Sequence, residues 1–208
     1  MPLLTQWRHT YRVTRVLART LRLICERIAV RRRTYCIYVA TPEQPAHIGD
    51  ERIEVFEHDR PPPADVRRLL GRYMGRLGAG LMLRRLRRVG GLLLIIVEGG
   101  DLLAYGWIQE WRAVRREFGW LADDGLCLGP YWTHPSARGQ GVYRRMLARS
   151  LLECHRRYDK GLYIWARQSN AASLAGIEKA GFRPLGTYHV ATYAFGLVRA
   201  HKRVTRDT

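Results

Sequence analysis

Lysine is almost absent from this strongly basic sequence. Of its 36 basic residues only three are lysine and 33 are arginine, against 18 acidic residues, so the formal net charge is +18. The twofold excess of bases over acids indicates an anionic partner. Because the guanidinium fork suits phosphate, the candidates are a phosphate-bearing coenzyme, a nucleotide-linked substrate, an acidic membrane and a nucleic acid.

Cysteine pairs and long apolar runs are also missing. The four cysteines form no C-x-x-C pair and no zinc-binding spacing, so we expect buried thiols in a reducing compartment and no metal. Leu92 to Val97, the longest apolar run of note, is too short to span a bilayer. Arginines interrupt every N-terminal apolar stretch, which argues against a secretory signal and favours a cytoplasmic protein. The cysteines are Cys25, Cys36, Cys127 and Cys154.

The first 33 residues have an ordered charge pattern. At helical pitch an apolar stripe lies opposite an arginine stripe. The apolar positions are Val13, Leu17, Leu21, Ile24 and Ile28, and the arginines are Arg8, Arg12, Arg15, Arg19 and Arg22. Such a helix can pack on the domain or on a second subunit, lie peripherally on the inner membrane face, or act as a targeting peptide. We therefore divide the chain into a basic extension (1–33), a main domain (34–200) and a basic tail (201–208).

The middle of the chain alternates predicted strands and helices. A strand is expected over Thr34–Ala40, and a helix begins at Asp65. The glycines between Gly75 and Gly80 follow a helix rather than a strand, so they indicate a hinge and not a nucleotide loop. Two further strands, Leu92–Val97 and Leu102–Trp111, form a predicted hairpin.

A glycine turn stands between a predicted strand and a predicted helix. Thr133 ends the strand, and Arg138-Gly139-Gln140-Gly141 precedes the helix. The glycines permit a tight turn, and the helix start adds unpaired amides and its positive dipole end. Such a turn is typical of a pyrophosphate site, to which Arg138 could add a charge-assisted contact. A surface loop whose glycines only cap a helix is the alternative.

A second signal follows the strand-like run Gly161–Arg167. Asn170 and Ser173 lie one turn apart at the start of a short helix, which stops at Gly181. Asn170 also suits an ordinary N-cap.

The two signals, in this order, resemble the GNAT superfamily of acyl-CoA-dependent N-acyltransferases. The resemblance rests on V/T-x-P-x-x-R-G-x-G-V, here Thr133–Val142, and on N-x-x-S-x-x-x-x-E-K-x-G-F, here Asn170–Phe182. It implies an α+β fold with a central mixed, mostly antiparallel twisted sheet, flanking helices, and strands splayed at the acyl-CoA site. It also implies transfer of an acetyl group from acetyl-CoA to a primary amine by direct attack in a ternary complex.

The resemblance assigns the coenzyme to particular residues. The backbone of Arg138–Val142 should hold the pyrophosphate, and the strand ending at Thr133 should pair with the pantetheine arm. Asn170 and Ser173 should contact the coenzyme from the neighbouring helix. The full predicted set is Tyr131, Trp132, Thr133, Arg138, Gly139, Gln140, Gly141, Val142, Tyr143, Asn170 and Ser173.

Two positions depart from the family pattern. Tyr143 stands where the glycine loop usually has a small residue. Ile177 stands where many members carry a tyrosine that protonates the departing thiolate. The thiolate can also leave unprotonated, because the acidity of a thiol is close to physiological pH. Candidate replacement acids are Tyr131, which we prefer, and Tyr143, Tyr188 and Tyr193.

The predicted strand Leu126–Thr133 contains Gly129-Pro130. Proline cannot donate to a ladder, so a bulge or a splayed edge is expected there. By the resemblance, the acetyl group lies at such a bulge, and backbone amides near Gly129–Trp132 stabilise the oxyanion. The attacking amine must lose a proton to a carboxylate or a water relay. Candidate bases are Glu110, which we prefer, and Asp123 and Asp124.

The acceptor is the least defined element. The phrases around the two motifs resemble GNAT proteins associated with bacterial surface-polysaccharide synthesis, which favours an amino sugar or another small amine. A protein lysine or N-terminus, an aminoacyl group and a longer acyl donor remain open. The alternative function is a catalytically weak module of the same fold that binds a membrane or a nucleic acid, although the aromatic signatures of common RNA-binding modules are missing.

Overall fold

The computed structural model describes residues 31–40, 52–89, 91–115, 121–193 and 198–203. Nearly all of the predicted extension, Cys25 and residues 204–208 lie outside these ranges. The chain divides into two compact units, one of residues 36–186 and one of residues 1–35 with 187–208. Strand β1 (Arg31–Ala40) begins before residue 34 and strand β9 (Val198–Arg203) continues past residue 200, so both predicted domain boundaries fall inside strands.

The larger unit contains a mixed sheet and helices. Besides β1, its strands are β2 (Ile53–Phe56), β3 (Leu92–Glu98), β4 (Asp101–Glu110), β5 (Leu126–Leu128), β6 (Trp132–Thr133) and β7 (Leu162–Arg167), and its helices are α1 (Ala64–Val89), α2 (Val142–Arg157) and α3 (Ala171–Lys179). The sheet order is β2-β3-β4-β5-β7-β1, with β6 paired to β4. Of the pairings in register, only β5 with β7 is parallel within the described residues. This confirms the predicted mixed, mostly antiparallel architecture.

Strand β3 is apolar on both sides because the sheet is covered on both faces. Leu92 and Leu94 are buried in a core that also holds residues of α2 and α3. Leu93 and Ile95 are buried in a second core with residues of α1. Fully burying one such side chain contributes roughly 1.5–3 kcal/mol, so these two cores fix the sheet between its helices.

The predicted hairpin and hinge are confirmed. Strands β3 and β4 pair up to Glu98 and Asp101, and both turn glycines, Gly99 and Gly100, have positive φ (59° and 80°). Positive φ at both central positions suits the twist of a tight hairpin. Helix α1 is interrupted at Gly75, whose φ of 75° and ψ of 152° are not helical.

Helix α2 is fixed at its C-terminal half by a buried carboxylate. Glu153, only 4% exposed, bonds Arg149 at 2.9 Å and Arg157 at 3.1 Å. Arg157 also reaches Glu57, which follows β2, at 2.9 Å. Because two guanidinium groups compensate the buried charge, this network holds the helix in place while its N-terminus faces the site described below.

In the smaller unit, residues 188–193 of β8 (Arg183–Tyr193) pair antiparallel with β9. Thr34 Oγ1 lies 2.8 Å from His189 Nδ1 in the same unit.

Candidate functional site

The sheet opens between β6 and the second half of β7. Parallel pairing of β5 with β7 runs from Leu126 opposite Leu162 to Leu128 opposite Ile164, whereas β7 continues to Arg167. The chain after Leu128 stays with β4 instead, and Trp132 pairs with Tyr105. The two strands therefore part just beyond Leu128.

The predicted bulge is present at this point. Two residues of β4 lie between Tyr105 and Ile108, and three residues lie opposite them, between Leu128 and Trp132. The extra residue falls in the segment that contains Pro130. Because Pro130 has no N–H to donate to a ladder, regular pairing is broken here.

Backbone groups of β6 face the opening. Gly129 N–H donates to Trp107 O at 2.7 Å, and His134 N–H donates to Leu103 O at 2.8 Å. Antiparallel strands bond through alternate residues, so the amide of Thr133, next to His134, points away from β4. Thr133 O accepts from Arg138 Nε at 3.3 Å on that side.

A cleft of about 1110 Å³ lies between the parted strands. All eleven residues predicted to bind the coenzyme line it, from Tyr131 to Ser173. Arg144 and Lys179 line it as well, and with Arg138 they give it three cationic side chains. None of its described lining residues is acidic. The cleft is therefore electropositive and suits a polyanion.

The glycine loop is held in shape by its neighbours. Gln140 Nε2 donates to Ser136 O at 2.8 Å, and His134 Nδ1 accepts from Ser136 N at 3.3 Å. Gly139 and Gly141 have φ of 77° and 72°, a region in which other residues are strained. A Cβ at either position would meet no neighbour within 4 Å. Glycine is therefore required here by backbone conformation and not by lack of space.

The start of α2 offers amides to the cleft. Its N-cap, Gly141, has no side chain to bond the first turn, and Val142, Tyr143 and Arg144 all line the cleft. The first amides of a helix have no partner inside the helix and carry the positive end of its dipole. This combination is well suited to a phosphate group.

Tyr131 is tied to α2 through its hydroxyl. Its Oη lies 2.7 Å from Ser150 Oγ, and Ser150 Oγ donates to Met146 O at 2.9 Å. Serine has one hydroxyl proton, so Tyr131 is the donor to Ser150. Burial raises the pKa of Tyr131 well above its usual value. The ring fits against Gly106, where a Cβ would lie 2.1 Å from Tyr131 Cε1.

Tyr143 fits where a small residue was expected because Gly176 lies opposite it. A Cβ on Gly176 would lie 2.7 Å from Tyr143 Cδ1, so the missing side chain makes room for the ring. Burial raises the pKa of Tyr143 to about 12, and a hydrogen bond with the Ser173 side chain acts in the opposite direction. The departure from the family pattern is thus compensated inside the chain.

Asn170 is an N-cap, as its alternative interpretation proposed. Its Oδ1 accepts from Ser173 N at 3.2 Å at the start of α3. The backbone amide and the side chain of Ser173 both have partners within the chain, Asn170 and Tyr143. Both residues still line the cleft, and the amide nitrogen of Asn170 is not used by the cap.

Trp132 is held by aromatic neighbours at the edge of the cleft. Its ring stacks on Tyr105 with a centroid distance of 5.7 Å and packs against Tyr73 at 5.5 Å. His134 meets the same ring edge-on at 5.8 Å. The indole is therefore a rigid part of the wall.

The predicted carboxylate bases do not line the cleft. Glu110 pairs in register with Leu126, at the end of β5 away from the opening, and its Oε2 lies 2.7 Å from Arg112 Nε. Asp124 bonds Lys160 at 2.7 Å, and that hydrogen bond lowers its pKa. Asp123 is exposed. Any of them could accept the proton of the attacking amine only through a water relay.

The other positions named in connection with the general acid are buried or undescribed. Ile177 is buried in the core beneath α3. Tyr188 is buried in the smaller unit. The side chain of Tyr193 lies outside the described residues.

Several lining residues were not predicted from the sequence. Arg144 and Lys179 add two cations, and the exposed side of α3 contributes only small side chains beside them. The sequence contained a signal for this side of α3. Ala172, Ala175, Gly176 and Lys179 recur at helical spacing, so they lie on one face of a helix. Small residues on such a face allow a ligand to approach the helix closely.

Other chemistries have little support in the described residues. The three described cysteines are free, and burial raises the pKa of Cys127 to about 12, which makes its thiol unreactive. No cluster of histidine, cysteine and carboxylate side chains in the described part of the chain could hold a metal ion. Nor is any helix there long and apolar enough to cross a bilayer.

Comparison with known proteins gives structural matches only. No protein-family model and no curated protein sequence matches the chain. A GNAT-family acetyltransferase from Colwellia psychrerythraea superposes with a TM-score of 0.53 at 15% identity, covering 83% of this chain and 60% of that one. A protein from Novosphingobium aromaticivorans, described as a GNAT-family acetyltransferase, gives a TM-score of 0.53 at 17% identity, covering 76% and 63%.

A protein of unknown function from Staphylococcus epidermidis also matches, with a TM-score of 0.51 at 11% identity, covering 85% and 66%. The chain thus spans less than two thirds of the length of these structures. The similarities confirm the fold implied by the two motifs.

Proposed function

Because the chain has the GNAT fold, we propose that it transfers an acetyl group from acetyl-CoA to a primary amine by direct attack in a ternary complex. The observation that carries this proposal is the cleft itself. A glycine loop, a helix N-terminus and an open strand edge all face one cavity of about 1110 Å³, whose described lining residues include no acid. Ligand pockets are roughly 300–1,000 Å³, so this cavity has room for a large, extended ligand.

The two halves of the cleft suit the two halves of the donor. Amides of Gly139–Arg144, with Arg138 beside them, would bind the pyrophosphate. The outward amide of Thr133 would pair with the pantetheine arm, as a further strand pairs with a sheet edge. The adenosine end would lie near Lys179 and the small residues of α3. This arrangement aims the thioester at the bulge.

The bulge would stabilise the reaction's charge. The amine nitrogen attacks the thioester carbonyl carbon, negative charge develops on the carbonyl oxygen, and the carbon–sulfur bond then breaks. Gly129 N–H is committed to Trp107 O and Pro130 has none, so Tyr131 N–H is the remaining donor of the bulge and would stabilise this charge. Loss of one such donor typically lowers the rate by about 10²–10³.

Proton transfer would involve few protein groups. The Tyr131 hydroxyl would have to leave Ser150 before it could protonate the thiolate, whereas a coenzyme thiolate can leave as the anion. The attacking amine would deliver its proton to water, with Glu110 as the more remote acceptor. The acceptor that we propose is an amino sugar or another small amine.

Two measurements on the same protein test this proposal. Calorimetry should show binding of acetyl-CoA, and a thiol-release assay with a panel of small amines and amino sugars should show turnover. Binding without turnover across the panel would contradict the enzyme and favour a binding module. Failure to bind acetyl-CoA would remove the proposal entirely.

A further inference from the structure

A second basic surface lies on α1, away from the cleft lining. The helix carries eight arginines and a single acidic residue, Asp65. Leu77 and Leu81, on the segment after the break at Gly75, are 78% and 58% exposed. They are the large hydrophobic side chains that stand out as exposed within the described part of the chain.

The leucines and arginines share one face of this segment. Met82 and Leu86 point into the core, so Leu77 and Leu81, one turn apart, lie on the opposite side. Exposed arginines flank the leucines along the helix. We define the outer α1 surface as Leu77 and Leu81 with Arg76, Arg84, Arg85 and Arg87.

The break at Gly75 adds a concave element. A hollow of about 740 Å³ is lined by residues from both helical segments, among them four arginines, Gly71 and Gly80. Among the described residues, Arg72 is the lining arginine with an acidic partner, and its 3.5 Å pair with Asp101 is exposed at both ends. An exposed pair of this kind contributes little and yields readily to another anion. The four arginines are Arg67, Arg68, Arg72 and Arg76.

We propose that the outer α1 surface and this hollow dock the protein on an anionic lipid bilayer. The leucines would enter the interface between headgroups and acyl chains, and the flanking arginines would contact lipid phosphates. The hollow would take a headgroup phosphate. Local charge, shape and apolar character together match this occupant.

Two other occupants fit the surface less well. A second copy of the chain would bring like charges together across the same helix, which opposes association. A nucleic acid would satisfy the arginines but would leave two exposed leucines at the centre of a polar contact. The exposed leucine pair therefore favours a bilayer over a nucleic acid as the occupant.

Vesicle sedimentation of the full-length protein tests the proposal. The probes are phosphatidylcholine vesicles with and without phosphatidylglycerol. Leu77→Ser with Leu81→Ser should weaken binding to anionic vesicles about tenfold, because most of the inserted apolar area is lost. Arg84→Gln with Arg85→Gln should weaken it at least tenfold, since each arginine near such a surface contributes about 1 kcal/mol.

A matched charge control separates a surface from bulk charge. Arg156→Gln with Arg167→Gln removes the same charge from exposed positions elsewhere, and should change binding less than threefold. Equal losses in both arginine pairs would overturn the proposal. Unchanged vesicle binding in the leucine variant would also overturn it, and tight duplex-oligonucleotide binding lost with Arg84 and Arg85 would then assign the surface to nucleic acid. Thermal melts should show that all variants fold.

Discussion

The cleft and the outer α1 surface are both rich in arginine, and they present it in opposite ways. In the cleft, Arg138 and Arg144 stand beside backbone amides in a concavity without acidic lining residues. On α1, arginines surround Leu77 and Leu81 on the outside of a helix. The first arrangement selects a small polyanion by shape and directed donors, whereas the second suits an extended anionic surface.

The comparison shows that net charge alone does not identify a partner. A charge of +18 is compatible with a coenzyme, a membrane and a nucleic acid. Local geometry distinguishes these partners. The donors in the cleft include backbone amides with fixed directions, whereas the donors on α1 are arginine side chains arranged along a helix face. Substitutions that affect one region and not the other test this separation.

The largest effect is expected from Gly141→Val. Gly141 and Gly75 have nearly the same φ (72° and 75°), and a Cβ at either would meet no neighbour within 4 Å. Valine at Gly141 (φ 72°, ψ 7°) should cost backbone strain on the order of 1–3 kcal/mol, and valine at Gly75 (φ 75°, ψ 152°) should cost at least as much, because that backbone region is essentially restricted to glycine. Only Gly141 lies in the loop, so calorimetry should show acetyl-CoA affinity falling at least about a hundredfold there, the combined loss of several charge-assisted contacts.

Gly75→Val is the matched control for this variant. It should lower the free energy of unfolding at least as much as Gly141→Val and leave acetyl-CoA affinity unchanged. If both variants lost acetyl-CoA binding equally, the loss would reflect general destabilisation, and the loop would have no special role.

A smaller effect is expected from removing cleft charge. Arg138→Gln with Arg144→Gln should weaken acetyl-CoA about ten- to thirtyfold, since each charge-assisted hydrogen bond contributes roughly 1.5–3 kcal/mol and exposure reduces this. The same pair should leave vesicle binding within threefold of the unaltered protein. A comparable loss from Arg84→Gln with Arg85→Gln in calorimetry would show that the two regions are not independent.

The burial of Tyr143 in the wall of the cleft should make the stability of the protein fall at alkaline pH. The folded pKa of Tyr143 is about 12, above the ordinary value of 10, so the folded state holds this proton more tightly than the unfolded state. Its contribution to stability is complete below pH 10 and declines as the pH rises from about 10 to about 12. At pH 11 the decline is on the order of 1 kcal/mol. Urea unfolding of Tyr143→Phe should show a flatter stability profile above pH 10, and an unchanged slope would contradict this burial.

Much of the site could be predicted from sequence because its signals are local. The glycine loop, the Asn170 cap and the Pro130 break each follow from the conformational limits of a residue type. Which residues complete the wall depended on pairings distant in sequence. Tyr143 with Gly176 and Tyr131 with Gly106 are contacts that only the folded sheet and helices bring together.

The same distinction applies to the fold. The β3–β4 hairpin and the break at Gly75 carry strong local signals, and both were predicted. Strand β2 has only four residues and gains its place by pairing with β3, so sequence periodicity gave no warning of it. Glu110 was chosen as a base for its nearness in sequence to β5, but the antiparallel register places it beside Leu126, at the far end of that strand.

The smallest effect is expected from Tyr131→Phe, which removes a hydroxyl and keeps the ring against Gly106. If the thiolate leaves as the anion, the rate of acetyl transfer should fall less than threefold, because the Tyr131 N–H in the bulge is unchanged. A general acid would instead contribute about 10²–10⁴ in rate. Ser150→Ala is the matched control, since it breaks the same 2.7 Å hydrogen bond and leaves the phenol in place. A rate loss of a hundredfold in Tyr131→Phe, absent from Ser150→Ala, would make the hydroxyl the acid and would require it to leave Ser150 during each turnover.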